Sequence, residues 1–171
     1  VAHEVSLLKN LRLALDAARR RGMPVVYAPH ERYRRKASRR VHYPNPSQFM
    51  TPWARFFAAG RRGGRFRADL APGPGEFVAS EHAVASGFGG TNLDAHLRQI
   101  GATDLVVCGL LTNTCVESTV RHAVDLGYRV TVLSDGVAAW SHEDHDAAMH
   151  CTLPRVAHEI VTTSAFVSSL A

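Results

Sequence analysis

The chain lacks what a membrane span, a disulfide scaffold or a dinucleotide-binding domain would need. Arg, Asp, Pro or Gly interrupts every apolar run well before the roughly 20 residues required to cross a bilayer, and no strand pattern is followed by G-x-G-x-x-G. Cysteine is scarce: Cys108, Cys115 and Cys151 are an odd number and lack the paired spacing of a zinc cluster. A chain of 171 residues with 46% hydrophobic content needs no covalent staples, so these few thiols point to a reducing cytoplasm. The net charge is +5, with the excess in Arg32 to Arg40 and Arg61 to Arg67, yet neither run carries interleaved aromatics or a recognised nucleic-acid motif. What remains is one domain with a sizeable core, and neither a nucleic acid nor a membrane as partner.

The elements that are present alternate. Apolar positions at Val5, Leu8, Leu11, Leu15 and Ala18 mark one face of a helix over Glu4 to Arg21, which Gly22 stops. A strand follows at Pro24 to Ala28. Residues Pro29 to Gly75, rich in Arg, Pro and Gly, read as a long excursion with a short helix near Trp53 to Ala59. Strand and helix then succeed one another: strand Glu76 to Ser80, helix Asn92 to Ile100, strand Leu105 to Gly109, helix Cys115 to Leu126, strand Arg129 to Ser134, helix Glu143 to His150, strand Glu159 to Val161, and a helix from Ser164. Leu105-Val-Val-Cys and Val130-Thr-Val-Leu are apolar on both faces, as in a parallel sheet covered by helices on each side. Ligands of such sheets bind beyond the carboxyl ends of the strands, where the loops after Ser80, Gly109 and Ser134 lie.

The loop after Gly109 carries Cys115 to the expected start of a helix. Unpaired backbone N–H groups and the positive end of the helix dipole favour a thiolate there, so Cys115 is the leading nucleophile. Cys108, mid-strand, reads as core packing, and Cys151 has no mechanistic partner.

Together, several segments resemble the isochorismatase-like cysteine hydrolases, which include nicotinamidases and N-carbamoyl amidohydrolases. They are Tyr27-Ala-Pro-His-Glu-Arg-Tyr33, Asp69-Leu-Ala-Pro-Gly-Pro-Gly75, Glu81-His82 with Ser86-Gly-Phe88 and Thr91-Asn-Leu-Asp94, and above all Gly109-Leu-Leu-Thr-Asn-Thr-Cys-Val-Glu-Ser-Thr-Val-Arg121 with Gly127-Tyr-Arg-Val130. The resemblance implies an α/β/α three-layer fold around a mainly parallel, six-stranded, Rossmann-like sheet. It also implies cleavage of a C–N bond through a thioester by an Asp, Lys and Cys arrangement, with no cofactor and no metal, on a small-molecule substrate. Cys115 matches the nucleophile, and the Leu110–Leu111 peptide matches the family's non-proline cis bond. The backbone N–H groups of Leu111 and Cys115 match its oxyanion hole. Family members commonly assemble as dimers or tetramers, and the apolar last helix, Ala165 to Leu170, would allow such a homo-oligomeric contact.

Two departures stand out. The family's lysine falls on His82, beside Glu81, so one of these two is expected to orient and polarise the site instead. The family's aspartate ends a first strand that precedes the helix matched here by Glu4 to Arg21. Residues 1–171 therefore read as a single isochorismatase-like domain that is incomplete at its N-terminus, with one central strand missing. Without that aspartate, a catalytically silent member serving as a binding or assembly scaffold stays open; a vinyl ether hydrolase is a further alternative, against which the presence of Cys115 favours C–N substrates.

Other residues carry two readings each. His142, Asp146 and His150 recur at steps of four, which stacks three metal-ligand types on one helical face, but a solvated face with Ser141 as N-cap and Glu143 and Asp144 in the first turn explains them equally. His30 either points into the pocket or stabilises a loop, and Phe88 is a candidate substrate contact. Asp135 reads as structural, holding a turn just past a strand end. Trp53, Phe56 and Phe57 read as packing.

Overall fold

A computed structural model describes residues 2–34 and 58–170. The first helix, α1, spans Ala2–Arg20. It stops where expected: Gly22 takes φ +65°, its N–H donates to Arg19 C=O at 3.1 Å, and Met23 N–H reaches Ala18 C=O at 3.0 Å. This is a Schellman end, which needs a left-handed residue that glycine supplies without strain. Strand β1 (Val26–Tyr27) lies parallel to β2 (Phe77–Val78). Next come α2 (Leu93–Gln99), β3 (Asp104–Leu110), a wide π-type turn over Thr112–Val116, and α3 (Glu117–Asp125). The Schellman geometry recurs at Gly127, φ +92°, which turns α3 into β4 (Arg129–Ala138). The chain ends with α4 (His142–Ala147), a second π-type turn over Ala148–Thr152, β5 (Glu159–Val161) and α5 (Thr163–Ser169).

Among the described residues the strands form two parallel ladders, β1–β2 and β3–β4–β5. Helices cover β4 on both faces. On one side Val130 and Val132 are fully buried in a cluster with Val120 and Ala123 of α3 and Leu93 and Leu97 of α2. Burying each such side chain stabilises by roughly 1.5–3 kcal/mol relative to exposure. On the other side Leu133, fully buried, packs with Ala14 of α1 and Phe166 of α5. The apolar residues of the last helix are thus used inside the chain: Phe166 is buried, and Val167 and Leu170 pack on the same cluster.

Two expectations about the strands change. β4 runs on past Ser134 to Ala138 because it bulges: Val107 pairs with Val132 but Gly109 with Val137. Asp135 therefore lies within the strand. Among the described residues, β3 is packed more closely on one face than on the other. Leu105 and Val107 pack on the larger core, while Val106, Cys108 and Leu110 are exposed, because α1 packs against β4. Cys108 keeps accessible surface on this face, yet it sits deep among the surrounding elements, and burial pushes its thiol up to about 11.

Candidate active site

The chain leaves the carboxyl end of β3 through a cis peptide between Leu110 and Leu111 and enters the π-type turn directly. Leu111 C=O closes that turn, accepting from Thr114 N–H at 3.1 Å and Val116 N–H at 3.0 Å. Thr112 is fully buried, and its Oγ1 is hydrogen-bonded to His145 Nδ1 of α4 at 3.0 Å. Cys115 is the fourth residue of the turn and is half-buried. Helical backbone therefore begins three residues before Cys115, which sits inside the first turn and not ahead of it. Its thiol is not depressed as a bare helix terminus would predict. Burial pushes it up, and a hydrogen bond from the Leu111 backbone only partly opposes this. Among the described residues no carboxylate or imidazole is hydrogen-bonded to its sulfur.

Glu81 and His82 follow β2 at the carboxyl edge of the other ladder, where His30 and His82 form a parallel bridge. Backbone bonds fix the pair: Glu31 N–H donates to His82 C=O at 2.9 Å and His82 N–H to Pro29 C=O at 3.0 Å. The two side chains then diverge. His82 is only 3% exposed, its Nδ1 lies 2.6 Å from Val84 C=O, and its ring meets His30 edge-on with centroids 5.2 Å apart. Burial lowers its pKa, with backbone carbonyls of Val84 and Ala28 working the other way. Glu81 is gripped by arginines: Arg34 Nη1 and Nη2 donate to its carboxylate at 2.8 and 3.1 Å, Arg32 N–H at 3.0 Å, and Arg32 Nε also donates to it. Burial pushes Glu81 up, but these bonds outweigh it and hold the carboxyl at about 2. His30 Nδ1 lies 3.0 Å from Glu31 C=O.

The loop beyond His82 is clasped onto α3. Gly87 N–H donates to Thr119 Oγ1 at 2.9 Å, and Ser86 Oγ and His122 Nδ1 share a bond of 3.1 Å. Phe88 N–H donates to Ser86 Oγ at 3.2 Å. The Phe88 ring lies in the core cluster that holds Val116 and Val120. Nothing local in the sequence marks Ser86, Thr112, Thr119, His122 or His145 as pairing residues. The i, i+3 spacing of Thr119 and His122 was visible and places both on one helix face, but nothing local says what faces them.

The remaining candidates resolve locally. Asp135 Oδ1 accepts from both Thr163 N–H and Thr163 Oγ1, each at 2.7 Å, so it holds the start of α5 instead of its own turn. Ser141 caps α4 as expected, accepting from Asp144 N–H at 3.0 Å. The α4 helix gives way to the π-type turn at Ala148, which removes the regular step from Asp146 to His150, and among the described residues no three metal-ligand side chains converge. Cys151 is exposed. Trp53, Phe56, Phe57 and most of the expected helix near them lie outside the described residues, as do Arg35 and Arg39 to Arg40. No helix among the described residues is long and apolar enough to cross a membrane.

The Isochorismatase domain model matches residues 2–165 of the chain. The chain belongs to the isochorismatase family. The ureidoacrylate amidohydrolase RutB of Pantoea ananatis is 30% identical over 180 residues, covering 99% of this chain and 69% of that protein. Nicotinamidase 3 of Arabidopsis thaliana is 38% identical over 77 residues, covering 45% of this chain and 38% of that protein. Among solved structures of the family, a cysteine hydrolase from Pseudomonas syringae pv. phaseolicola superposes with a TM-score of 0.84 at 25% identity, covering 99% of this chain and 82% of that one. N-carbamoylsarcosine amidase from Thermoplasma acidophilum gives 0.74 at 28% identity, covering 95% and 86%. The matches to the first curated relatives span 36 to 38% of their lengths.

Proposed function

We propose that this isochorismatase-family chain carries the nucleophile of a cysteine hydrolase acting on small amide or carbamoyl compounds. The observation that carries the reading is Cys115 itself, half-buried in the π-type turn at the carboxyl end of a parallel strand, with the Leu111 backbone hydrogen-bonded to its sulfur. The relatives named for amide and carbamoyl substrates support the bond type.

Because burial holds Cys115 as a thiol, the reaction starts with a proton transfer from sulfur to a general base. The sulfur pair attacks the carbonyl carbon, and the N–H groups of Leu111 and Cys115 receive the developing oxyanion. The C–N bond breaks as the acid returns its proton to the leaving nitrogen, leaving a thioester on Cys115. Water then adds to that carbonyl and expels the thiol, so the sum is hydrolysis. In this reading the base is a carboxylate in the role of the family's aspartate. His82 takes the orienting place of the family lysine, since Glu81 is already engaged by Arg32 and Arg34.

The test offers nicotinamide, ureidoacrylate and N-carbamoylsarcosine to the protein, follows ammonia release, and weighs the intact chain after an acid quench. Turnover with an acyl adduct on Cys115, both lost in Cys115→Ala, is the expected result. Turnover that survives Cys115→Ala overturns the cysteine route, and if isochorismate is what Cys115→Ala still hydrolyses, vinyl ether chemistry replaces it. The raised thiol favours one further reading, a silent scaffold, and absence of both turnover and adduct would select it.

A further inference from the structure

We propose that His145 is a positioning residue for the Cys115 turn, acting through the hydroxyl of Thr112. The inference rests on the cysteine reading above, but its geometry stands apart from it. Thr112 is the second residue after the cis peptide and the first of the π-type turn, and it is wholly buried. A buried hydroxyl without a partner costs about 1–3 kcal/mol, so its direction is strongly held by whatever meets it. What meets it is His145 Nδ1, at 3.0 Å, from an element more than thirty positions downstream.

His145 is itself fixed. It lies in the first turn and a half of α4, where its N–H donates to Ser141 C=O at 3.2 Å, and Ser141 Oγ caps the same turn by accepting from Asp144 N–H. The chain of contacts then runs from Ser141 to His145, to Thr112, and through one peptide to Leu111, whose carbonyl closes the turn and whose backbone bonds the Cys115 sulfur. The turn follows β3, leads into α3 and also packs on α4, and His145 is the α4 side chain bonded to its buried first residue. Removing that tie frees Thr112 to rotate and lets the Leu111 N–H drift from the sulfur. A donor misplaced by about 1 Å is enough to cost much of such a contact.

The direction of the effect separates positioning from loosening. If the turn merely opens, water reaches Cys115 and its thiol relaxes down toward the free value of about 8.5. If the Leu111 donor is lost while burial persists, the thiol moves further up. The experiment measures iodoacetamide alkylation at each cysteine against pH, by peptide mass spectrometry, in wild type, His145→Ala, His145→Asn, Thr112→Val and the Ala/Val double variant. His145→Ala is expected to move the Cys115 profile to higher pH and to slow alkylation at neutral pH on the order of tenfold. Thr112→Val should match it, the double variant should be no slower than either, and His145→Asn, which can present a polar atom near the Nδ1 position, should recover most of the rate. Cys108 and Cys151, both exposed, should not change.

An unchanged Cys115 profile in His145→Ala, additive losses in the double variant, or a shift of the profile to lower pH would each overturn the assignment. If His145→Ala does not fold, Thr112→Val, which keeps the shape and removes only the hydroxyl, decides the matter on the same readout. Alkylation does not require turnover, so failure of the hydrolase reading, seen as no acyl adduct in wild type, is distinguishable from failure of this one.

Discussion

His82 and His30 meet in a T-shaped contact at the carboxyl ends of adjacent parallel strands, ring centroids 5.2 Å apart, with His82 almost wholly buried. A buried imidazole next to another imidazole is held neutral, by burial first and by its neighbour second. Its folded pKa lies below the ordinary 6.5, so its contribution to stability is complete above that value and is lost as the pH falls below it through the folded pKa. Urea midpoints taken across this range should decline for wild type more steeply than for His82→Asn, which has no charge to gain. Parallel curves for the two proteins would show that His82 titrates unperturbed.

Glu76 joins the end of α1 to the start of β2. Arg19 Nε and Nη2 donate to its two oxygens at 2.7 and 2.9 Å, and Gly73 N–H adds a third bond at 2.6 Å. The arginine bonds hold its carboxyl at about 2 against an ordinary 4.5. The stability this confers is therefore present above pH 4.5 and disappears as the pH falls through about 2. Since Arg19 is partly solvated, Glu76→Gln should cost only about 1 kcal/mol at neutral pH. Chemical denaturation at neutral pH and near pH 2 checks both halves; a penalty that persists in acid would mean the shape of Glu76, not its charge, matters.

Asp135 accepts two bonds from one fully buried threonine, Thr163. Asp135→Ala leaves a buried N–H and a buried hydroxyl unpaired at the start of α5, and should destabilise by about 2–3 kcal/mol. Hydrogen exchange of the Thr163 amide gives the local readout, and protection equal to wild type would refute the pairing.

Gly136 sits in the bulge of β4 with no room for a side chain. A Cβ there would stand 2.9 Å from Leu133 Cβ and 3.3 Å from Cys108 Cβ. Leu133 is fully buried and cannot retreat, so Gly136→Ala should lose about 1–3 kcal/mol. Thermal unfolding of the variant tests this, and a neutral result would place the bulge differently.

The sequence made local devices readable and distant pairings unreadable. Gly22 and Ser141 announced helix ends that the structure contains, because each acts on its own turn. Cys115 was placed at the right strand exit by the apolar run that ends at Gly109. The state of its thiol was not readable, since burial comes from other elements and the π-type turn has no residue signature. Which of Glu81 and His82 faces inward depended on Arg32 and Arg34, nearly fifty positions away. The exposed face of β3 depended on which strand α1 covers, and Asp135 looked like a turn residue because the bulge that keeps it in β4 is set by pairing to β3.

The division of the strands has one more consequence. His30 and His82 ride on one ladder and Cys115 on the other, and among the described residues no strand-to-strand bond joins them. They are joined through the loop after β2, where Gly87 N–H bonds Thr119 Oγ1, Ser86 Oγ bonds His122 Nδ1, and Phe88 shares a core with Val116 and Val120. Two hydroxyl contacts therefore fasten the loop that follows His82 to the helix that follows Cys115, without touching either ladder.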